Sequence, residues 1–440
     1  MELKWSQFVF SVEIDNRNVI LRNTLNSSTI RIKKKIKEEI DSAINKRVAN
    51  DKIKRYMKRI AELEILVPQD LDEKEKYLEL FRKHREQDKT FSVYFVTTRD
   101  CQLNCPYCFE KGIDRQKKAM TIEIAEKIVV WCREYLKNHD GCNKFRIVLY
   151  GGEPLLNKKV IRYILPELYG VAEMRTIDFE LGILTNGELL DVKTLFFLNC
   201  YNLDKLQITI DGPKEAHDKR RIRKDGTGTF DRIIQNILAG FFRNLIERLD
   251  LRINFDRQNV NSIPLLFDFF AKRKLQKKIK LSFGVITPTV SGKTDFYLRD
   301  FSFNQKENAE NYIWLCREAK KRGFDIPEEY LSGPWCTARK IHSAVIEPDG
   351  SLLKCISMVG RKEFIFGDIF STRETRDIDF ENFYYLDKCL SKKCPFVPIC
   401  GGGCRFEAYN NSGDLSKPYC QREMIEKINK NLLILKFETT

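Results

Sequence analysis

The 440-residue sequence lacks any apolar run of about eighteen residues, the length at which a helix begins to span a membrane. Its N-terminal stretch, MELKWSQFVFSVEID, has acidic and polar residues where a signal peptide needs a continuous apolar segment. Internal repeats and low-complexity tracts are also absent. We therefore expect a soluble, unexported, cytoplasmic protein with no membrane partner.

Signatures of zinc fingers, RNA-binding modules and helix-turn-helix motifs are missing too, so no nucleic-acid partner is predicted despite 77 Lys and Arg against 62 Asp and Glu. Residues 1–60 contain fifteen basic and seven acidic residues. This asymmetry favours an acidic partner at the N-terminal end, and solvated helix faces are the alternative. Hydrophobic residues make up 42% of the chain, enough for a large core in two or three domains, which excludes a disordered or fibrous protein.

Fourteen cysteines are many for a chain without an export signal, because a reducing compartment keeps cysteines as thiols. Ten of them fall into two groups, at residues 101–108 and 336–420. This placement favours metal or redox chemistry over disulfides. The other four are interpreted as small core residues and are Cys132, Cys142, Cys200 and Cys316.

Short apolar strands alternate with amphipathic helices over residues 91–286. The predicted strands are Ser92–Thr97, Phe145–Tyr150, Phe179–Leu184, Leu206–Ile210, Leu251–Phe255 and Ile279–Ile286. Such almost wholly apolar strands are typical of a parallel sheet that helices cover. Because the segment is too short for eight βα units, we predict an α/β fold with a partial (β/α)6 barrel, whose site lies at the carboxyl ends of the strands.

The regions on either side of this barrel differ from it. The first ninety residues predict a small α+β domain, with strands at Phe8–Glu13 and Val19–Thr24 followed by helices. Residues 331–421 contain seven cysteines, many glycines and little periodicity, which indicates a segment that folds around metal. The predicted domains are 1–88, 89–325 and 326–440, the last with a C-terminal helix.

The first cysteine group, Cys101-Gln-Leu-Asn-Cys105-Pro-Tyr-Cys108, follows directly on the first predicted strand of the barrel. Three thiolates within eight residues can hold three corners of an iron–sulfur cube and leave one iron open. A zinc site would need a fourth Cys or His nearby, which the sequence does not supply.

Together with the motifs that follow it, this loop resembles the radical S-adenosylmethionine (SAM) superfamily from about Phe91 to Pro288. Gly151-Gly152-Glu153-Pro154 ends the second predicted strand, and the resemblance implies that this turn holds the amino group of the SAM methionine. Glycines permit a close backbone approach, and a carboxylate suits an ammonium group. The resemblance implies further SAM-binding residues, which are Tyr107 near the adenine, Thr185, Thr209, Asp211, Arg221 at the SAM carboxylate and Asn254 near the ribose.

Each of these motifs is weak alone, and their succession at the ends of consecutive strands carries the resemblance. It implies a [4Fe–4S] cluster on Cys101, Cys105 and Cys108, and reductive cleavage of SAM to a 5′-deoxyadenosyl radical. No catalytic side chain is assigned. Flavodoxin or ferredoxin is the expected electron donor.

The second cysteine group contains Cys394-x5-Cys400-Gly-Gly-Gly-Cys404, in which small residues let the chain wrap a bulky cluster. Seven thiolates exceed the needs of one four-coordinate centre, which implies two centres. The region resembles the SPASM extension of radical SAM enzymes, which carries two auxiliary [4Fe–4S] clusters. The resemblance implies one cluster on Cys336, Cys355 and Cys404 and another on Cys389, Cys394, Cys400 and Cys420.

This chain departs from the SPASM pattern at two places. Cys389-x4-Cys394 stands where the family usually has CxxC, and no cysteine lies between Cys316 and Cys336. The first auxiliary cluster therefore has either an open iron, which a substrate thiolate could occupy, or a fourth ligand from Cys316 or a non-cysteine residue.

SPASM enzymes mostly modify peptides and proteins, and the first ninety residues resemble the leader-binding region in maturases of ribosomally synthesised peptides (RiPPs). An edge strand near Val19–Leu25 is predicted to pair with an extended leader, and the basic charge favours an acidic one. A structural cap is the alternative. We predict a three-cluster maturase that abstracts hydrogen from a precursor peptide and forms a thioether or carbon–carbon cross-link.

Three other functions stay open. Anaerobic sulfatase-maturating enzymes, which form formylglycine, carry an Asp base after the second SPASM cysteine, where this chain has Ile356. The net charge permits a radical SAM enzyme that modifies nucleic acid, although the SPASM region argues against it. An iron–sulfur electron carrier would leave the series of SAM-contact motifs without a purpose.

Overall fold

A computed structural model of the chain describes residues 2–110, 119–286, 300–331, 333, 335–371 and 384–438. By residue contacts, the chain divides into two compact units. The first comprises Met1–Gln87, Pro327–Cys336 and Phe380–Thr440, and the second Asp88–Ile326 and Thr337–Asp379. The three sequence domains stay a prediction. Among the described residues, no helix has the length and apolar character to cross a membrane.

The first unit starts with short strands and three helices. They are β1 (Leu3–Trp5), β2 (Val9–Glu13), β3 (Asn18–Asn23), β4 (Thr29–Lys33), α1 (Lys34–Lys46), α2 (Asp51–Glu62), β5 (Leu66–Pro68) and α3 (Glu73–Gln87). β1 pairs with β5, and the other strands form an antiparallel sheet of order β2-β3-β4.

The predicted edge strand near Val19–Leu25 is wrong, because β3 is the central strand of this sheet and pairs on both sides. β4 forms one of its edges. The sequence analysis missed β4 because it has only five residues and runs directly into the basic start of α1. The alternation of Ile30 and Ile32 with Arg31 and Lys33 is too short to stand out there.

The second unit contains the six predicted strands, which are confirmed as parallel neighbours in the order β11-β10-β9-β8-β7-β6. They are β6 (Thr90–Val96), β7 (Lys144–Tyr150), β8 (Asp178–Thr185), β9 (Leu203–Thr209), β10 (Leu249–Phe255) and β11 (Ile279–Val285). Their central residues are buried, for example Val93, Ile147, Leu181, Ile208 and Ile253. The α/β fold class is confirmed.

Helices connect or follow these strands. They are α4 (Ile122–Asn138), α5 (Lys158–Met174), α6 (Val192–Asn199), α7 (Lys214–Arg220), α8 (Phe230–Phe242), α9 (Ile263–Ala271) and α10 (Gln305–Lys321). Side-chain caps fix several helix starts, since the side chains of Thr121, Asp191 and Asn304 each accept a hydrogen bond from a backbone N–H three residues on. One-turn 3-10 helices lie at Pro154–Asn157, Val260–Ser262, Thr337–Arg339, Ile356–Met358 and Lys362–Phe364.

Part of the cysteine-rich segment extends the sheet of the second unit. The strands β12 (Ser343–Ile346), β13 (Ser351–Leu353) and β14 (Gly367–Asp368) follow one another outward from β6. β12 pairs with β6 in parallel, and the other two continue in antiparallel pairing. Strands of two to four residues show no periodicity, which is why the sequence analysis did not predict them.

The C-terminal segment belongs to the first unit. Its described helices are α11 (Tyr384–Ser391), α12 (Val397–Cys400), α13 (Arg405–Ser412) and α14 (Arg422–Phe437). They share apolar clusters with the N-terminal elements, so that Phe8 packs in one cluster with Leu386, and Phe10 in another with Phe396. Burial of both ends of the chain in common clusters makes this unit a joint product of its N- and C-terminal segments.

Candidate active site

Cys101, Cys105 and Cys108 lie on the loop after β6, at the carboxyl edge of the parallel strands. The pKa of Cys101 is raised to about 12, mainly by burial and also by Glu153 and Cys105, whereas the Leu103 N–H and Arg221 oppose the shift. The backbone N–H of Leu103 donates to the Cys101 sulfur at 3.4 Å. A buried thiol of this kind loses its proton when a metal cation binds the sulfur.

The turn Gly151–Gly152 after β7 packs against the backbone of this cysteine loop. The Gly152 N–H donates to the Thr98 carbonyl at 3.0 Å, and the Glu153 N–H donates to the Asp100 carbonyl at 2.9 Å. A Cβ on Gly151 would lie 2.3 Å from the Thr98 oxygen, and one on Gly152 would lie 2.4 Å from the Asp100 oxygen. The two glycines are therefore required for the turn and the loop to meet.

Glu153 is fully buried and joins the ends of β7 and β8. Its Oε1 accepts from the Thr185 hydroxyl at 2.7 Å and from the Leu155 N–H at 3.0 Å, while Oε2 accepts from the Asn186 N–H at 2.8 Å. Burial raises the pKa of Glu153, and these hydrogen bonds oppose the shift. A carboxylate has about four acceptor sites, so one remains for an ammonium group. Pro154 follows in the 3-10 turn, and its carbonyl accepts from Thr97.

Tyr107, Asp211 and Arg221, three of the predicted SAM-binding residues, are brought together. The Tyr107 hydroxyl donates to Asp211 Oδ2 and accepts from Arg221 Nη1 at 2.9 Å. Two residues that the sequence analysis missed complete the group. The Arg220 guanidinium lies 4.8 Å from the centroid of the Tyr107 ring, and its Nη1 is 2.7 Å from both carboxylate oxygens of Asp256.

Thr209 and Asn254, also predicted SAM contacts, stand near the carboxyl ends of β9 and β10. Thr209 is in register with Arg252 on β10. Asn254 Oδ1 accepts from Arg252 Nε at 3.0 Å, and its backbone N–H donates to Asp211 Oδ1 at 3.0 Å. Both residues are at the expected edge of the sheet, and their contact with SAM stays a prediction.

His217 contacts the same group of residues through the backbone of Asp211. Its Nδ1 accepts from the Asp211 backbone N–H at 3.3 Å, which leaves Nε2 as the donor to the Thr229 hydroxyl at 3.0 Å. Burial lowers the pKa of His217 well below its ordinary value, and the Arg221 and Arg220 cations lower it further. His217 is therefore a neutral imidazole that orients the end of β9.

The residues at this edge fit an iron–sulfur cluster with SAM. Three thiols share one loop, which suits three corners of a cube. The Nε of Arg221 is buried and has no hydrogen-bond partner within the described residues, so this guanidinium keeps a donor for a carboxylate. In the part of the chain that the structure describes, no group of three or more His, Cys, Asp or Glu is arranged to hold a metal ion, so the fit of the cluster rests on the type and number of donors in the loop.

Four cysteines of the second group line one cavity in the first unit, and they are Cys389, Cys394, Cys400 and Cys420. Burial, followed by the neighbouring thiols of Cys400, Cys394 and Cys420, raises the pKa of Cys389 to about 11. These are the four residues that the SPASM resemblance assigns to the second auxiliary cluster. A cluster at this position stays a prediction that the donor set fits.

A glycine-rich loop brings these cysteines together. Gly401, Gly402 and Gly403 have φ values of 58°, 77° and 88°, in the left-handed region that glycine tolerates best. A Cβ on Gly403 would lie 2.1 Å from the carbonyl oxygen of Tyr419. This close approach places the loop after Cys400 directly against the segment that carries Cys420.

The remaining predicted ligands are divided between the two units, since Cys336 and Cys404 belong to the first and Cys355 to the second. Burial raises the pKa of Cys404, and Cys336 is among the neighbours that raise it further. Their common cluster stays a prediction. Within the second unit, the Tyr150 hydroxyl donates to buried Glu110 at 3.1 Å. Burial raises the pKa of Tyr150, and Cys108 and Cys355 both contribute.

The four scattered cysteines were expected in the core. Cys132, Cys142 and Cys316 are buried, as expected. Cys200 is exposed, so the expectation is wrong there. The reason is its position just past the last turn of α6, where its thiol donates to the Phe196 carbonyl at 3.4 Å at the protein surface.

A model of the radical SAM superfamily matches residues 95–270. The cysteine-type anaerobic sulfatase-maturating enzyme of Clostridium perfringens (strain 13 / Type A) is 23% identical over 328 residues, 69% of this chain and 86% of that protein. The serine-type enzyme of Bacteroides thetaiotaomicron is 26% identical over 367 residues, 71% of this chain and 82% of that protein.

A similar fold is found in the structure described as native anSMEcpe with bound AdoMet and Cp18Cys peptide. The TM-score is 0.59 at 19% identity, over 79% of this chain and 98% of that one. The superfamily implies a [4Fe–4S] cluster and SAM, and their placement at the loop of Cys101, Cys105 and Cys108 stays a prediction. The chain therefore contains a radical SAM domain at residues 95–270 and is homologous to the anaerobic sulfatase-maturating enzymes.

Proposed function

We propose that the chain is a three-cluster peptide maturase that abstracts hydrogen from a ribosomally made precursor peptide and forms a thioether or carbon–carbon cross-link. Homology to enzymes that mature sulfatases supports a polypeptide substrate. The observation that supports a precursor peptide as the substrate is a basic groove at a sheet edge of the N-terminal segment.

At the SAM site, a bound cluster with SAM would supply the radical chemistry that hydrogen abstraction from the substrate requires. The side chains of this chain have preparatory roles. The thiols of Cys101, Cys105 and Cys108 anchor the cluster, Glu153 orients the amino group of SAM, and Arg221 orients its carboxylate. The buried strand ends around them exclude water, which protects a reactive intermediate.

The proposed leader site is a groove of about 450 Å³ beside the edge strand β4. It is lined by Asn18, Ile30, Arg31, Ile32, Lys33, Ile36, Tyr56, Arg59 and Ile60. An extended peptide can add a strand to β4 through backbone hydrogen bonds, and the isoleucines offer apolar surface to alternate side chains. The tyrosine on α2 is 38% exposed and forms part of the opposite wall.

Charge supports an acidic peptide in this groove. Three exposed cations line it, Arg31, Lys33 and Arg59, and the lining residues include no acid. Attraction between exposed charges weakens as salt increases. An acidic leader should therefore bind more weakly at high ionic strength.

Charge reversal at the groove tests this part of the proposal. In the variant Arg31→Glu/Arg59→Glu, an acidic leader peptide should bind at least tenfold more weakly, measured by fluorescence anisotropy of the labelled peptide. The matched control is Arg47→Glu/Lys54→Glu, which reverses two exposed cations of the same segment outside the groove. Equal weakening in both variants would show that only net charge matters.

The reaction itself is tested with enzyme reconstituted with iron and sulfide, then supplied with SAM, dithionite and a short peptide encoded beside the gene. We expect 5′-deoxyadenosine and a peptide whose mass has fallen by that of one hydrogen molecule. One hydrogen atom would end in 5′-deoxyadenosine, and the other would leave as a proton and an electron that an auxiliary cluster would accept. Absence of 5′-deoxyadenosine would overturn the radical chemistry. 5′-Deoxyadenosine with an unchanged peptide would overturn the cross-linking proposal.

Anaerobic sulfatase maturation is the second candidate, and the relatives named above favour it. Ile356 stands after Cys355 where those enzymes are expected to carry an Asp base. In addition, the similar structure of anSMEcpe covers 79% of this chain, so about a fifth of this chain has no counterpart in that structure. Formylglycine formation in a sulfatase-derived peptide with Cys or Ser at the modified position would favour this candidate over cross-linking.

A further inference from the structure

A buried group of polar side chains ties the cysteine loop to the ends of β9 and β10. Asp211 is fully buried and accepts from the Tyr107 hydroxyl with one oxygen and from the Asn254 N–H at 3.0 Å with the other. Tyr107 stands between Cys105 and Cys108 in the chain. These hydrogen bonds therefore fix the part of the loop that carries two of the three thiols.

Arg220, at the end of α7, holds Tyr107 from its ring side. The guanidinium lies 4.8 Å from the ring centroid, and its Nε is 3.7 Å from Asp211 Oδ2. Asp256 fixes the guanidinium through two contacts of 2.7 Å to Nη1. Contacts to both oxygens of a carboxylate restrict the orientation of an arginine, and burial strengthens their electrostatic attraction. The position of the Tyr107 ring thus depends on Asp256, which acts on the ring through Arg220.

The hydroxyl of Tyr107 also fixes Arg221. It accepts from Nη1 at 2.9 Å and leaves the buried Nε as a donor that meets no partner in the described ranges. A displacement of Tyr107 would therefore move both the thiols beside it and the Arg221 guanidinium that is hydrogen-bonded to it. One side chain connects the metal-binding loop with the cation proposed to bind SAM.

We propose that Asp211, Arg220 and Asp256 are positioning residues of the SAM site that act through Tyr107. They set the distance between the loop of Cys105 and Cys108 and the guanidinium of Arg221. Asp211 is thereby given an indirect role, in place of the SAM contact that the family resemblance implies. The proposal concerns the SAM site alone and holds for any substrate.

The test measures SAM binding to the reconstituted enzyme by calorimetry, together with iron content and the electron paramagnetic resonance of the reduced cluster. Tyr107→Phe removes only the hydroxyl and keeps the ring beneath Arg220. We expect unchanged iron content, about tenfold weaker SAM binding, and a smaller change in the cluster spectrum on addition of SAM. Arg220→Lys should act in the same direction.

A double variant distinguishes a role in positioning the SAM site from a contribution to stability alone. If the side chains act as a unit, Tyr107→Phe/Arg220→Lys should weaken SAM binding by clearly less than the product of the single effects. The matched control is Arg322→Lys, which alters an Arg–Asp pair with Asp268 between α9 and α10 and should lower the melting temperature without changing SAM affinity. SAM affinity equal to wild type in Tyr107→Phe, or independent effects in the double variant, would overturn the proposal. If Arg220→Lys fails to fold, Tyr107→Phe decides alone.

Discussion

At the scale of single residues, the site is held by side chains whose hydrogen-bonding capacity is almost fully used. Glu153 accepts three hydrogen bonds and is completely buried, so it fixes the turns after β7 and β8 as well as offering its charge. Such a residue serves the fold and the cofactor at once. Substitutions there should change both stability and SAM affinity.

Glu153→Gln should lower the thermal unfolding midpoint and weaken SAM binding. The amide has one oxygen for three donors, so a buried donor faces the NH2 group, at a cost of about 1–3 kcal/mol. Differential scanning fluorimetry and calorimetric titration with SAM measure the two effects. As a control, Glu180→Gln alters the carboxylate that pairs with Lys144 and Arg146 in the same unit and should leave SAM affinity unchanged. Wild-type SAM affinity in Glu153→Gln would contradict the assignment.

The buried, neutral His217 leads us to expect that the stability of the fold decreases at acidic pH. Its pKa is lowered by burial, so the unfolded chain takes up the proton at a higher pH than the folded one. The stability due to the neutral ring is complete above its ordinary pKa of about 6.5 and is lost as the pH falls toward the lowered value, by up to about 1.4 kcal/mol per pH unit. The unfolding midpoint should fall between pH 7 and pH 5, and less steeply in His217→Gln. Parallel pH profiles for the two proteins would refute this.

At the scale of elements, the close contact between the Gly151–Gly152 turn and the cysteine loop leaves no room for a side chain at either glycine. Gly152→Ala would place a methyl group 2.4 Å from the Asp100 carbonyl oxygen and force the two segments apart. We expect less iron per chain after reconstitution, measured colorimetrically. The control is Gly170→Ala inside α5, where nothing lies within 4 Å and the helix should gain about 0.5–1 kcal/mol. Normal iron binding in Gly152→Ala would show that the loop adapts.

The sequence predicts elements well where they are long and regular. Every barrel strand was found from its apolar residues, because strands that helices cover are rich in Val, Ile, Leu and Phe. The motifs also singled out Tyr107, Asp211 and Arg221, which the structure brings into contact, while their binding of SAM stays a prediction. Arg220 and Asp256 were not predicted as site residues. Their pairing depends on β9 and β10 being neighbours in the sheet, and no local sequence pattern shows this. β4 was not predicted because it is short and precedes a basic helix.

At the scale of the whole molecule, thiols for iron are present in both compact units. Cys101, Cys105 and Cys108 are in the second unit, whereas the cavity of four thiols is in the first. Replacement of all three loop cysteines by Ala should therefore abolish SAM cleavage but leave part of the iron bound. Iron analysis and chromatography of 5′-deoxyadenosine measure these effects. Complete loss of iron, or persistent SAM cleavage, would show that the cluster roles are wrongly assigned.

The composition of the first unit has a consequence for the order of events during synthesis on the ribosome. Gln87 ends its N-terminal segment, and its C-terminal segment starts about 290 residues later. At elongation rates of about 5–20 residues per second, the emerging N-terminal strands wait roughly 15–60 s for the partners that cover Phe8 and Phe10. The four-thiol cavity requires Cys420, so whatever fills it arrives only after that part of the chain has been synthesised.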